Sequence, residues 1–308
     1  MYRVATYGHY QSALLNLMTA QQSGADAQER VSTKKNATDL VGFGRTSEVL
    51  TSLKGSQSRL QGFLDTAEAA NARLVFQDLA MNQVNEGISG ISEAVNNALS
   101  VDNAVTLMLD LENSFQQIRG GLNTKHQGNY LFSGATTDAT PVTANTLADL
   151  AALPTAADAF HNDTLKSVSR VAEGTSLQTG VLADELGTDI VGILRDIQTF
   201  NAGPSGPLTG KLTDAQKTFL TAQVQRLKDA STGVVNKIAQ TGAMANQIES
   251  LIDSQEGQQL QLDEMVGKKT DADMAKALMD LQLSQVAIEA SAQVISSLRD
   301  ATLLNFLR

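Results

Sequence analysis

Apolar residues return every fourth and then every third position over two long stretches of the chain. From Val49 the stripe runs through Leu53, Ser56, Leu60, Phe63, Ala67, Ala70, Leu74, Gln77, Met81, Val84, Ile88, Ile91, Val95 and Ala98, and only Ser56 and Gln77 in it are polar. Alternating 4-3 spacing averages 3.5 residues, which keeps one side of a helix turned toward a partner helix over many turns. An unbroken helix over this stretch would be about 75 Å long at 1.5 Å per residue. Gly87 and Gly90 predict an interruption near its end. The second stripe runs through Leu220, Val224, Leu227, Ser231, Val234, Ile238, Thr241, Ala245, Ile248, Ile252, Gln255, Gln259, Leu262 and Val266. Just before it, Thr213-Asp-Ala-Gln216 has the spacing of a capping box, in which each side chain bonds the other's backbone N–H.

Weaker stripes occupy the two ends. One passes through Ala13, Leu17, Ala20, Gly24, Ala27 and Val31. The other follows a polar break at Gly267–Asp273 and passes through Met274, Leu278, Leu281, Ile288, Ala292 and Ile295. A further helix is predicted over 102–120, capped by Asp102 and turning Val105, Leu109, Phe115 and Ile118 inward. Residues 128–210 differ in kind. All four prolines (141, 154, 204 and 207) fall there, with turn-forming clusters, β-like pieces at Tyr130-Leu-Phe132 and Val168-Ser-Arg-Val171, and short helices predicted near 146–160 and 187–200.

The predicted architecture is therefore mainly α. Long antiparallel coiled-coil helices are formed by both chain ends, and a small mixed α/β domain is inserted in the middle. The expected division is a terminal helical assembly domain (1–48 and 267–308), a long-helix core (49–127 and 211–266) and an outward-facing insert (128–210). Fully burying a leucine or isoleucine is worth about 1.5–3 kcal/mol, so the long stripes are expected to cover one another. The terminal stripes carry fewer and smaller apolar residues, and the surface they leave over is expected to meet neighbouring copies.

Composition narrows the function. Hydrophobic residues make up 42% of the 308 but aromatics only 4%, with no Trp, which suits thin helix seams better than one thick core. A net charge of −10 argues against nucleic acid, whose affinity comes from basic residues at phosphates, and against an anionic membrane surface. With no cysteine there are neither disulfides nor thiolate metal sites. No apolar run approaches the roughly 20 residues of a membrane span, and the opening Met1-Tyr-Arg-Val lacks the apolar stretch of a cleaved secretory signal.

Nothing in the sequence assembles an active site, a cofactor site or a metal site. His9, His126 and His161 are far apart, and none has a second ligand at helical spacing. Gly42-Phe-Gly44 lacks the third glycine and the strand of a dinucleotide fingerprint, and Gly267-Lys-Lys-Thr270 lacks the upstream glycine of a phosphate loop. Asp271 and Asp273 read as acids at a helix start, beside its positive end. Asn36-Ala-Thr38 and Asn162-Asp-Thr164 match a glycosylation pattern that often arises by chance.

The ends and the edge of the insert resemble the flagellin family, and within it the hook–filament junction proteins (the third hook-associated protein). Met1-Tyr-Arg-Val4 and Glu29-Arg-Val-Ser-Thr-Lys-Lys35 are similar to that family's N-terminal helix and the turn after it. Leu122-Asn-Thr-Lys125, Gly128-Asn-Tyr-Leu-Phe-Ser-Gly134 and Thr136–Pro141 are similar to the junction proteins' G-x-YLF-x-G stretch. Leu283–Ile295, Ser297-Leu298 and Leu303-Leu-Asn-Phe-Leu307 resemble the C-terminal helix. The chain departs from the family at the turn, where Lys34-Lys35 replaces Gly-Lys and the acidic pair is reduced to Thr38-Asp39.

The resemblance implies terminal helices paired in an inner tubular layer, with the insert facing outward. It also implies an extracellular place in the bacterial flagellum and export, unfolded and without a cleaved signal, through the flagellar type III route. The partners implied are copies of this chain, an adjacent hook-associated protein, flagellin, the export machinery and an export chaperone. On this basis Leu14, Leu17, Ile288, Ile295, Leu298, Leu304 and Phe306 are the candidate assembly residues. The alternatives are a filament subunit, which would use the same ends, and a secreted coiled-coil binding module of a secretion apparatus.

Overall fold

The computed structural model describes the backbone of residues 2–306 and the side chains of 8–299. Its elements in order are α1 (Tyr2–Thr33), α2 (Ser47–Val101), α3 (Leu107–Leu122), β1 (Lys125–His126), β2 (Asn129–Tyr130), α4 (Leu147–Ala152), β3 (Val168–Ala172), β4 (Thr175–Gln178), α5 (Ala183–Ala202), α6 (Asp214–Thr270) and α7 (Met274–Phe306). The fold is mainly α, with two small antiparallel hairpins, β1–β2 and β3–β4. The chain divides into two units, residues 1–59 with 258–308 and residues 60–257, the boundaries falling inside α2 and α6.

In the larger unit, every position of the first stripe from Ala67 to Ala98 is buried. On α6 the stripe positions are all buried or half-buried. Antiparallel pairing follows from contacts such as Ser231 Oγ to Asn85 Oδ1 at 3.0 Å on α2. The capping box at the head of α6 is formed: the Gln216 N–H donates to Thr213 Oγ1 (3.3 Å) and the Thr213 N–H to Gln216 Oε1 (2.9 Å). A second box, Thr146 with Asp149, starts α4. Helix α5 lies against α6 through Arg226–Asp196 (2.7 Å) and Lys237–Glu185 (3.5 Å). The core of this unit joins α2, α3 and α6 with α5 and with Leu131, Phe132, Val142, Leu147 and Leu150, all from the insert.

Four local expectations are corrected. Helix α2 is not interrupted at Gly87 and Gly90, because α3 crosses it there: a Cβ on Gly87 would stand 2.5 Å from Ile118 Cγ1, and one on Gly121 of α3 2.8 Å from the Ala80 carbonyl oxygen. The glycines buy close approach at the cost of helix propensity. Asp102 does not cap α3, which begins at Leu107. Asp102 takes a left-handed turn (φ +55°) and pairs with Lys217 at 2.8 Å, leaving Val105 and Leu109 exposed. The predicted helix near 146–160 shrinks to α4 and a single 3-10 turn, whereas that near 187–200 starts earlier, at Ala183. The polar break after the second long stripe narrows to residues 271–273, since α6 runs through to Thr270.

Candidate assembly surface

The smaller unit is built on α1 and α7, which pair antiparallel. All six residues of the N-terminal stripe (Ala13, Leu17, Ala20, Gly24, Ala27 and Val31) are buried or half-buried. The side chains are small enough for close contact: a Cβ on Gly24 would lie 3.2 Å from Ser284 Oγ and 3.7 Å from Ile288 Cδ1. On α7 the facing stripe is Met274, Ala277, Leu281, Ser284, Ile288, Ser291, Ile295 and Leu298. Leu278 and Ala292, placed on the stripe by sequence, are exposed, and Ala277 and Ser291 take their positions.

A polar lock closes the end of this pair where α1 and α7 adjoin their neighbours in the chain. Lys35 Nζ lies 2.5 Å from Asp271 Oδ1, the Asn36 N–H donates to the Thr270 carbonyl (2.7 Å), and the Ala272 N–H donates to the Lys34 carbonyl (3.0 Å). Arg30 reaches Asp280 at 3.2 Å. Asp273 caps α7 by accepting from the N–H groups of Ala275 and Lys276, at 3.0 and 3.1 Å. The turn at Lys34 and Lys35 is therefore tied backbone-to-backbone to the start of α7. The hydrogen bond from Lys35, then that from Thr270, holds the Asp271 carboxyl below the usual aspartate range. A depressed carboxylate contributes stability above its unfolded pKa of about 3.9, and that contribution is lost as the pH falls through the folded value. Acid titration followed by circular dichroism is therefore expected to loosen the lock below about pH 4, and Asp271→Asn is expected to remove that part of the acid response.

The candidate assembly residues separate into three groups. Leu17, Ile288, Ile295 and Leu298 are half-buried on the facing stripes of α1 and α7. Leu14 points outward and is exposed. Leu304 and Phe306 lie outside the described side chains. Further apolar side chains stand exposed on this unit that the stripe did not select: Leu15, Met18, Met279, Leu283, Val286 and Val294, with Leu283 at 72% exposure. Their signal in the sequence is their position off the 4-3 stripe of a helix already paired on that stripe. Since Arg30 is level with Asp280 and Gly24 with Ser284, most of the exposed apolar residues form two patches, with Val294 of α7 outside the second and level with Leu14 and Leu15. Tyr10, Leu14, Leu15 and Met18 of α1 lie toward the chain ends, and Leu278, Met279, Leu283 and Val286 of α7 toward the lock. The patches are displaced by about 20 Å along the axis, at 1.5 Å per residue.

The residues with conceivable site chemistry lie apart. His9 is exposed on α1, the His126 ring packs on Phe76 with centroids 4.5 Å apart, and His161 is exposed near Thr143. Gly42 closes a loop by donating its N–H to Asp39 Oδ1 at 2.8 Å. The Asn36 and Asn162 amides both donate within the fold, to the Asp271 carbonyl and to Asp184 Oδ1. Among the described residues, no group of three or more His, Cys, Asp or Glu could hold a metal ion, and no helix is long and apolar enough to cross a membrane.

Residues 215–307 match the bacterial flagellin C-terminal helical region. No curated protein matches the chain. The fold is similar to that of a protein from Vibrio parahaemolyticus assigned to the flagellar hook-associated proteins, with a TM-score of 0.59 at 16% identity, covering 73% of this chain and 97% of that one. It is also similar to FlgL of Bacillus cereus, with a TM-score of 0.54 at 14% identity, covering 69% and 97%. At these identities the likeness is one of fold.

Proposed function

We propose that the chain, whose residues 215–307 match the bacterial flagellin C-terminal helical region, is a flagellin-family structural protein and a subunit of the flagellar hook–filament junction. The observation that carries this reading is the pair of uncovered apolar patches on α1 and α7. Each is apolar enough to gain from burial, at roughly 1.5–3 kcal/mol for each large side chain covered. They sit on different helices at different heights, so a contact between them joins unlike surfaces. Contacts between unlike surfaces generate open helical arrays or rings, the kind of assembly a tubular junction needs. Copies of this chain meet through these patches, and the same surface at the top and bottom of the layer receives flagellin and an adjacent hook-associated protein.

The Gly128–Pro141 stretch favours the junction over the filament, because its sequence resembles the junction proteins. The subunit leaves the cell by the flagellar type III route, with a chaperone covering the assembly helices until they pair. Its work is mechanical, in an extracellular appendage, and involves no catalysis.

Electron microscopy of cells lacking this protein, with assay of the culture medium, tests the reading. Hooks without filaments, and flagellin shed into the medium, are the expected result. Hooks that still carry their hook-associated proteins but no filament, with no flagellin in the medium, would make the chain the filament subunit. Normal flagella would overturn the proposal in favour of a secreted binding module.

A further inference from the structure

The apolar interior of the larger unit is not continuous. One cluster includes Ala80, Met81, Val84 and Ile88 of α2 and reaches Val234 and Ile238 on α6. A second holds Ala67, Ala70 and Leu74 of α2, Ile248 of α6 and Val171 of β3, flanked by Met244 and Ala245. The interruption falls at residues 75–79 on one helix and 239–243 on the other. Each gap is centred on a buried polar side chain of the seam, Gln77 (0% exposed) and Thr241 (1%). Counting from the Asn85–Ser231 hydrogen bond along the antiparallel pair brings the two to the same level. Neither amide atom of Gln77 has a hydrogen-bond partner, and neither has the Thr241 hydroxyl.

We propose that the Gln77–Thr241 layer is a conformational joint in the α2–α6 pair. At this level the seam opens over residues 60–76 and 242–257 as one cooperative segment, while the segment from Ala80 to Ala98 stays closed. Two independent features carry this. Buried polar groups without partners are disfavoured in the closed state and gain water on opening, so separation at this layer is easier than one heptad away. The segment beyond it is also thinly packed. Two of the five buried apolar residues in its cluster are alanines, whereas the cluster on the other side contains Phe115, Phe132, Leu107, Leu111 and Ile118. Segments with few buried apolar contacts are the ones that open locally ahead of global unfolding. The β3–β4 hairpin fastens the thin segment by polar bonds, from Gln255 Nε2 to the Val171 carbonyl (2.6 Å) and from Arg73 to Ser167 Oγ (2.7 Å). The joint depends on no assumption about assembly, since it acts within a single chain.

Hydrogen exchange on the full-length chain, resolved by peptide and read beside the Gln77→Leu/Thr241→Val double variant, tests the joint. In the natural sequence, amides of 60–76 and 242–257 are expected to exchange together, at least tenfold faster than those of 80–98 and 220–238. The double variant is expected to slow exchange in the first group at least tenfold, equivalent to about 1.4 kcal/mol, and to leave the second group unchanged. Protection that runs evenly across residues 77 and 241 would overturn the proposal. So would a boundary that persists in the double variant, or loss of helical circular dichroism in that variant, which would make the layer a requirement of folding.

Discussion

Leu283→Asp is expected to abolish polymerisation while leaving the chain folded, and Ile288→Asp to abolish it by undoing the α1–α7 pair itself. Leu283 is largely exposed, so a carboxylate there is already in water. Surface substitutions of this kind change monomer stability by only about 0.5 kcal/mol in either direction. In an assembly the same carboxylate would have to be desolvated against apolar side chains of the neighbouring copy. Ile288 lies on the seam, with its Cδ1 beside the position a Gly24 Cβ would occupy. That seam is made largely of Ala13, Ala20, Ala27, Gly24, Ala277 and Ser284, so it has little apolar burial in reserve. Placing a charge in it is expected to cost on the order of 3 kcal/mol, visible as lost helical circular dichroism. Sedimentation and electron microscopy read the polymer in both variants. If Leu283→Asp assembles normally, the outer patch is not the contact.

The contrast between these two residues shows how far the sequence could be read. A periodic stripe marks which side of a helix is buried but not what buries it. The N-terminal stripe from Ala13 to Val31 and the α6 stripe from Leu220 to Val266 are covered in the fold as their spacing predicts. For the same reason, Leu17, Ile288, Ile295 and Leu298, chosen as contacts between copies, face the chain's own partner helix. The outward patch was harder to read because its spacing is short-lived, Tyr10, Leu14 and Met18 on α1 and Met279, Leu283 and Val286 on α7, on helices whose longer stripe already accounts for burial. Glycines misled in another way. Gly87 and Gly90 read as helix breaks, because the α3 residues that need them as a groove, Ser114 and Ile118, lie more than twenty residues further on. Gln77 appeared as one of two exceptions in an apolar stripe. Only its burial, its missing partners and Thr241 at the same level distinguish it from Ser56, which is half-buried.

Phe132→Ala is expected to cost about 3–5 kcal/mol, the largest single loss available in the Gly128–Gly134 stretch. Phe132 is fully buried in the main core, beside Leu131 (3% exposed) and Ser133 (0%). The backbone around it is tied to four separate parts of the chain. The Leu131 N–H donates to the Thr124 carbonyl, Arg73 of α2 donates to the Leu131 carbonyl, the Ala183 N–H at the start of α5 donates to that of Phe132, and the Asp163 N–H donates to that of Ser133. Gly134 then turns at φ +70°, where a Cβ would stand 2.6 Å from the Asp163 carbonyl oxygen, so Gly134→Ala is strained twice over. Tyr130, by contrast, is half-buried and bonds Thr140 through its hydroxyl at 2.8 Å, so Tyr130→Phe should cost far less than either. Urea unfolding of the three variants checks this order. With a domain's whole stability commonly about 5–15 kcal/mol, Phe132→Ala would bring the larger unit close to its unfolding threshold. The stretch that most resembles the junction proteins is thus a plug of the core, where the insert closes over α2 and α3. If instead Phe132→Ala leaves the urea midpoint in place, the insert's packing on those helices carries no stability and the stretch must be explained by contact with a partner.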